Sequence, residues 1–176
     1  MDRLREIRGG WDTDRRLSGL QAGFGARYNA GMAERYCYSY PRPALTVDVV
    51  LLTRDGFLLL VKRKKGPFRG RWALPGGFVG IDERLAEAAA RELAEETGLS
   101  GLELRQFAAF DEPGRDPRGR TIAVVFLGWL PRRRRPRGGS DAAAARWFSI
   151  DRIPLLAFDH ADVVACARAA SGLQAD

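Results

Sequence analysis

The stretch Gly76-Gly77-Phe78-Val79-Gly80-Ile81-Asp82-Glu83-Arg84-Leu85-Ala86-Glu87-Ala88-Ala89-Ala90-Arg91-Glu92-Leu93-Ala94-Glu95-Glu96-Thr97-Gly98-Leu99 decides how the rest of the chain is read. Its second half predicts a helix, with Asp82 as the N-cap and Gly98 as the left-handed residue that ends it. At about 100° per residue, Glu92, Glu95 and Glu96 stand at i, i+3 and i+4, so their carboxylates share one side of adjacent turns. Ala86, Ala89, Ala90 and Leu93 make a neighbouring apolar stripe suited to packing on a sheet. That packing sets the acidic side against whatever the glycine loop encloses.

Two chemistries suit such a cluster. On a solvated face, like charges at i, i+4 cost only a few tenths of a kcal/mol. Lining a partly buried site, they repel by about 3 kcal/mol per pair at ~5 Å and an effective dielectric of ~20. A hard divalent cation removes that penalty, and oxygen donors with no Cys or His in the stretch favour Mg²⁺ or Mn²⁺ over zinc. The helix by itself leaves both readings open.

The full spacing decides between them: Gly77, five residues, Glu83, seven residues, Arg91-Glu92-Leu93, one residue, Glu95-Glu96, one residue, Gly98-Leu99. It resembles the box of the Nudix hydrolase family at every defined position, which is far more specific than a lone glycine loop. The resemblance implies that Glu92, Glu95 and Glu96, with the Gly76 carbonyl, hold Mg²⁺ or Mn²⁺ against a diphosphate. Arg91 is then expected to orient a glutamate while pairing with Glu87, and Glu83 to support the metal or the helix start. The run Trp72-Ala73-Leu74-Pro75-Gly76-Gly77 is similar to the segment that leads into the box in that family. Arg71 beside it and Gly77 join the candidate substrate contacts.

Ala44–Leu52 and Phe57–Val61 read as strands joined by the turn Thr53-Arg54-Asp55-Gly56, whose Asp-Gly pair favours a hairpin. Leu102–Phe110 and Thr121–Leu130 read as two more, and a final helix is predicted from a cap at Asp159, burying Val163, Val164, Ala167 and Ala170. Strands on either side of one box helix, with a C-terminal helix, predict an α/β/α sandwich with a mixed sheet, which the resemblance also implies. His160, the single histidine, is read as a structural hydrogen-bonding residue.

Between the last two of those strands lies Asp111-Glu112-Pro113-Gly114-Arg115-Asp116-Pro117-Arg118-Gly119-Arg120. Arg115 and Arg118 on a rigid loop can grip a phosphate or ribose through forked hydrogen bonds. The Arg-Asp-Pro-Arg-Gly run, with Pro113 about fifteen residues past Gly98, resembles the ADP-ribose pyrophosphatase branch of the family. Ser140-Asp141-Ala142 resembles a family run that precedes an Arg-Trp-Phe strand, but Ser140 and Ala144 stand where relatives carry acids, leaving Asp141 as the loop-borne catalytic candidate. Pro131 to Gly139 is a second arginine-rich loop, read mainly as solvated.

A chain of 176 residues suits one domain, read as 41–176, preceded by a partly ordered arm over 1–40. The net charge of +7 also suits a pocket for polyanionic small molecules. Cys37 and Cys166 lie far apart without a CxxC, which argues against a disulfide framework or a zinc site and fits a reducing compartment. No apolar run approaches the ~20 residues that cross a bilayer, so the chain is expected to be soluble and cytoplasmic. The expected reaction is metal-dependent hydrolysis of ADP-ribose to AMP and ribose 5-phosphate. Its rivals are hydrolysis of another nucleotide, non-catalytic sensing of ADP-ribose, and RNA processing; nucleic acid and membrane partners are not expected, and a homodimer is compatible.

Overall fold

The computed structural model describes residues 38–138 and 142–171. Nearly all of the predicted arm, together with Ser140 and Asp141, lies outside those residues. In chain order come β1 (Ala44–Thr53), β2 (Phe57–Arg63), β3 (Trp72–Ala73), β4 (Gly76–Phe78), α1 (Leu85–Thr97), β5 (Leu104–Phe110), β6 (Thr121–Leu130), β7 (Ala142–Ser149), a 3-10 turn (Ile150–Arg152) and α2 (His160–Ser171).

The seven strands form one sheet ordered β3-β2-β1-β6-β5, with β4 also on β1 and β7 also on β2. β1 and β6 run parallel from Ala44↔Thr121 to Thr53↔Leu130, while the other pairs are antiparallel, so the sheet is mixed as predicted. Alternation along β1 sends Val47, Val49 and Leu51 to one side and Val50 and Leu52 to the other. The first set packs with Ala88, Ala89 and Leu93 of α1, the second with Val163, Val164 and Ala167 of α2. This is the α/β/α sandwich: the near-continuous apolar runs of β1 and β6 are what a strand covered on both faces requires.

Three local expectations change. α1 begins at Leu85, not after Asp82, and the Glu87 carboxylate accepts the Arg84 N–H at 3.2 Å. Its buried stripe is Ala88, Ala89, Leu93 and Thr97, with Ala86 and Ala90 exposed. The rotation follows from the loop: Glu83 accepts the Gly80 N–H at 3.0 Å and is bound by Arg91, holding the chain in a turn past Asp82. At the other end Gly98 adopts φ 71° and donates to Ala94 O, as its position predicted. In α2, Ala170 is exposed, and the Asp159 carboxylate binds Arg115. Among the described residues no helix is long and apolar enough to cross a membrane.

Candidate active site

The two glycines of β4 let the strand and α1 meet. A Cβ on Gly77 would lie 2.3 Å from Glu92 Oε1, so only glycine leaves room for that carboxylate. Gly77, read as a substrate contact, is therefore first a seat for Glu92. The Gly76 N–H donates to Glu96 Oε2 at 3.1 Å. N–H and C=O of one strand residue point the same way, so the Gly76 carbonyl opens on the edge where Glu96 lies.

Arg91 ties the acids together. Its Nε donates to Glu83 Oε1 at 2.7 Å and Nη2 to Glu83 Oε2 at 3.0 Å. Nη1 donates to Glu92 Oε1 at 2.7 Å, with Glu95 Oε2 further off at 3.4 Å, and Nη2 also reaches the Phe78 carbonyl at 3.1 Å. The partner read for Arg91 on the helix, Glu87, caps the helix start instead, and Glu83, arriving from the loop, takes its place. The Arg91 hydrogen bond holds the Glu83 carboxyl below its ordinary range and raises the guanidinium in turn. Burial pushes the Glu92 carboxyl up, against the pull of Arg91. Glu95, half exposed, stands at the rim.

Among the described residues no three carboxylate, histidine or cysteine side chains converge closely enough to hold an ion as they stand. Their chemistry nevertheless fits one. Glu92 and Glu96 flank the buried stripe, the Gly76 edge adds oxygen, and burial makes the charge on Glu92 costly without a cation.

Arg115 and Arg118, equivalent in sequence, are not equivalent in the fold. Arg115 is buried and forks onto Asp159, Nε to Oδ2 at 2.8 Å and Nη2 to Oδ1 at 2.7 Å, so it is not presented to a substrate. Arg118 is a third exposed, clamped by Asp116 through Nε and Nη2, with its guanidinium 4.9 Å from the Phe78 ring centre and 5.6 Å from that of Phe158. Burial pushes the Asp116 carboxyl up, but the bonds from Arg118 outweigh this and leave it below its ordinary range.

Arg63, in the run Lys62-Arg63-Lys64-Lys65, was not singled out from sequence. Here its Nε donates to Pro67 O at 2.8 Å and its guanidinium covers Phe158 at 4.8 Å, so Arg63 and Arg118 share one ring. Burial lowers the Arg63 pKa, as does the charge of Arg118, while Glu96 raises it. The two guanidinium groups thus stand within electrostatic reach of each other, and Arg63 within reach of the acidic edge. Exposed Arg71 stacks on Phe68 at 5.4 Å, on the neighbouring turn. His160 is structural, as expected: buried, its Nδ1 accepts the Leu74 N–H at 2.9 Å.

A mixed sheet between two helices, carrying this glycine strand and glutamate helix, is the arrangement of the Nudix family, and residues 42–166 match the NUDIX domain. The chain belongs to that family, whose enzymes generally use divalent metal ions. It is 38% identical over 150 residues to an ADP-ribose pyrophosphatase of Methanocaldococcus jannaschii, covering 80% of this chain and 85% of that one. It is 32% identical to an ADPR-responsive transcriptional repressor of Acinetobacter baylyi, over 77% of this chain but only 57% of the repressor. Among solved structures, the NUDIX domain of Shewanella oneidensis NrtR complexed with ADP ribose superposes with a TM-score of 0.69 at 29% identity, covering 86% and 98% of the two chains.

Proposed function

We propose that the chain is a Nudix pyrophosphohydrolase that cleaves ADP-ribose to AMP and ribose 5-phosphate. The observation that carries the reading is the opposition of two groups: the acidic edge of Gly76, Glu92 and Glu96, and the Arg63–Arg118 guanidinium pair held on Phe158 within electrostatic reach of Glu96. A diphosphate is the ligand that satisfies both. Two guanidiniums held close repel each other, and phosphate oxygens between them relieve that repulsion. Glu92, Glu96 and the Gly76 carbonyl, with Glu95 from the rim, are the donors for Mg²⁺ or Mn²⁺, which when bound neutralises phosphate oxygens and acidifies a water. Hydrolysis would break a bridging P–O bond as a water oxygen bonds to phosphorus, and the chain's own part would be a carboxylate that takes the water's proton. The acceptor is one of the box glutamates or Asp141. Glu83 and Arg91 position Glu92. The catalytic unit is read as residues 41–176, with 1–40 as an arm, in a cytoplasmic protein.

ADP-ribose over other nucleotides rests on the relatives. Turnover of ADP-ribose, NADH, diadenosine polyphosphates and 8-oxo-dGTP with Mg²⁺ tests it, and ADP-ribose should lead. Glu96→Gln should reduce kcat at least a hundredfold while leaving the fold intact; near-full activity in that variant would remove the site assignment. The second reading, binding of ADP-ribose without cleavage, is favoured by the likeness to the NrtR domain. Tight ADP-ribose binding with no turnover of any substrate would establish it.

A further inference from the structure

Behind the acidic edge lies a buried carboxylate that the reaction scheme does not use. Asp48 sits on β1 directly opposite Gly76 and is 6% exposed. Its Oδ2 accepts no hydrogen bond. Arg115 Nη2 lies 3.6 Å from Oδ2, and His160 Nε2 lies 3.7 Å from Oδ1. Both contacts are long, and the pairing with Arg115 is loose. Arg115 directs its fork to Asp159 at 2.7 and 2.8 Å. His160 accepts the Leu74 N–H at Nδ1, which places its proton on Nε2 as a neutral imidazole, and burial pushes its pKa down. Arg115 is thus shared between two carboxylates and held more tightly by Asp159, while Arg63 of β2 acts on Asp48 at longer range. An isolated buried charge is costly unless something answers it.

Asp48 backs onto the site through Gly76. A Cβ on Gly76 would stand 2.7 Å from Asp48 Oδ1, so the absence of that atom lets the carboxylate press against the strand whose other edge meets Glu96. We propose that Asp48 is a positioning residue for the divalent cation: its charge, only loosely paired with Arg115 and packed against Gly76, strengthens cation binding at the Gly76–Glu96 edge without entering the coordination shell. This rests on the metal site of the proposed function. A purely structural role for Asp48 would give a stability loss with unaltered cation affinity.

The test is Mn²⁺ binding to the full chain, read by the electron paramagnetic resonance of free Mn²⁺ and needing no turnover. Asp48→Asn, which keeps the shape and removes the charge, should raise the Mn²⁺ Kd about tenfold. Asp159→Asn, which frees the Arg115 fork to turn onto Asp48, should weaken Mn²⁺ in the same direction and serves where Asp48→Asn does not fold. His160→Gln, which changes no charge, should bind Mn²⁺ like the wild type. In the active enzyme, Asp48→Asn should shift the Mn²⁺ concentration for half-maximal rate and leave KM for ADP-ribose at saturating Mn²⁺ within twofold. Wild-type affinity in the folded Asp48 and Asp159 variants would overturn the inference alone. A wild-type chain that binds no Mn²⁺ would overturn the metal site and the inference together.

Discussion

Two loops of this chain read alike, and the fold treats them differently. Residues 111–120 and 131–138 are both arginine-bearing, both carry prolines and both adjoin β6. In the first, Arg115 and Arg118 are locked onto Asp159 and Asp116, and Arg118 lies against two phenylalanine rings. In the second, Arg132, Arg133 and Arg134 are exposed; the ties of this loop are largely main-chain, with Arg134 O accepting from Trp147 Nε1 and the Arg137 N–H donating to Thr97 O at 2.7 Å. Arg133 makes only an exposed contact, 3.4 Å from Asp55, while lying on Phe57 at 3.9 Å. Short ion pairs to buried or part-buried carboxylates hold the arginines of the first loop in the fold; arginine density alone leaves those of the second in water.

The largest break in that contrast should come at Arg115. Removing it leaves Asp159 and Asp48 buried and unpaired, and breaking such a pair costs about 3–5 kcal/mol. Arg115→Ala should therefore lower the urea midpoint strongly, whereas Arg133→Ala should stay within about 0.5 kcal/mol of wild type, as surface changes do. Equal, small effects would mean that the fork onto Asp159 is not what holds the first loop.

Next in size is Arg118. Arg118→Ala should raise KM for ADP-ribose about tenfold, the order of one lost charge-assisted contact, and should also lower stability, because buried Asp116 loses the guanidinium that pairs it. Asp116→Asn should move KM in the same direction by freeing the guanidinium it clamps. A rise in kcat effect without KM would place Arg118 in the chemical step instead of in binding.

The contrast also marks what sequence can carry. β1, β6 and the Asp-Gly turn were legible because long apolar runs and a hairpin pair are local signals; Gly98 was legible because a left-handed helix end needs glycine. That Glu92, Glu95 and Glu96 stand on adjacent turns of α1 was legible from their spacing. Arg115 and Arg118 were not separable, since the partner of one is two residues away and that of the other forty-four. The loop acid Glu83, closing on Arg91 from eight residues upstream, displaced the i−4 partner that helix geometry favoured. Arg63 and Asp48 were invisible for the same reason: Phe158, Arg115 and His160 reach them only through the tertiary fold.

The smallest effect sharpens the comparison through pH. Burial lowers the His160 pKa from its ordinary value of 6.5, and the groups facing the ring are Asp48 on β1, Asp159 beside it, Arg115 from the first loop and Arg63 from β2. With the folded value below the unfolded one, the unfolded chain binds the extra proton first. The neutral ring therefore contributes its stability fully above about pH 6.5, and that contribution falls by about 1.4 kcal/mol per unit as pH drops toward the folded value. Thermal denaturation from pH 7.5 to 5.5 should show Tm falling below pH 6.5 in the wild type, and His160→Gln should flatten that decline. Arg132→Ala and Arg135→Ala, in the solvated loop, should leave the wild-type slope intact. A slope that persists in His160→Gln would mean that His160 is not the source of the acid sensitivity.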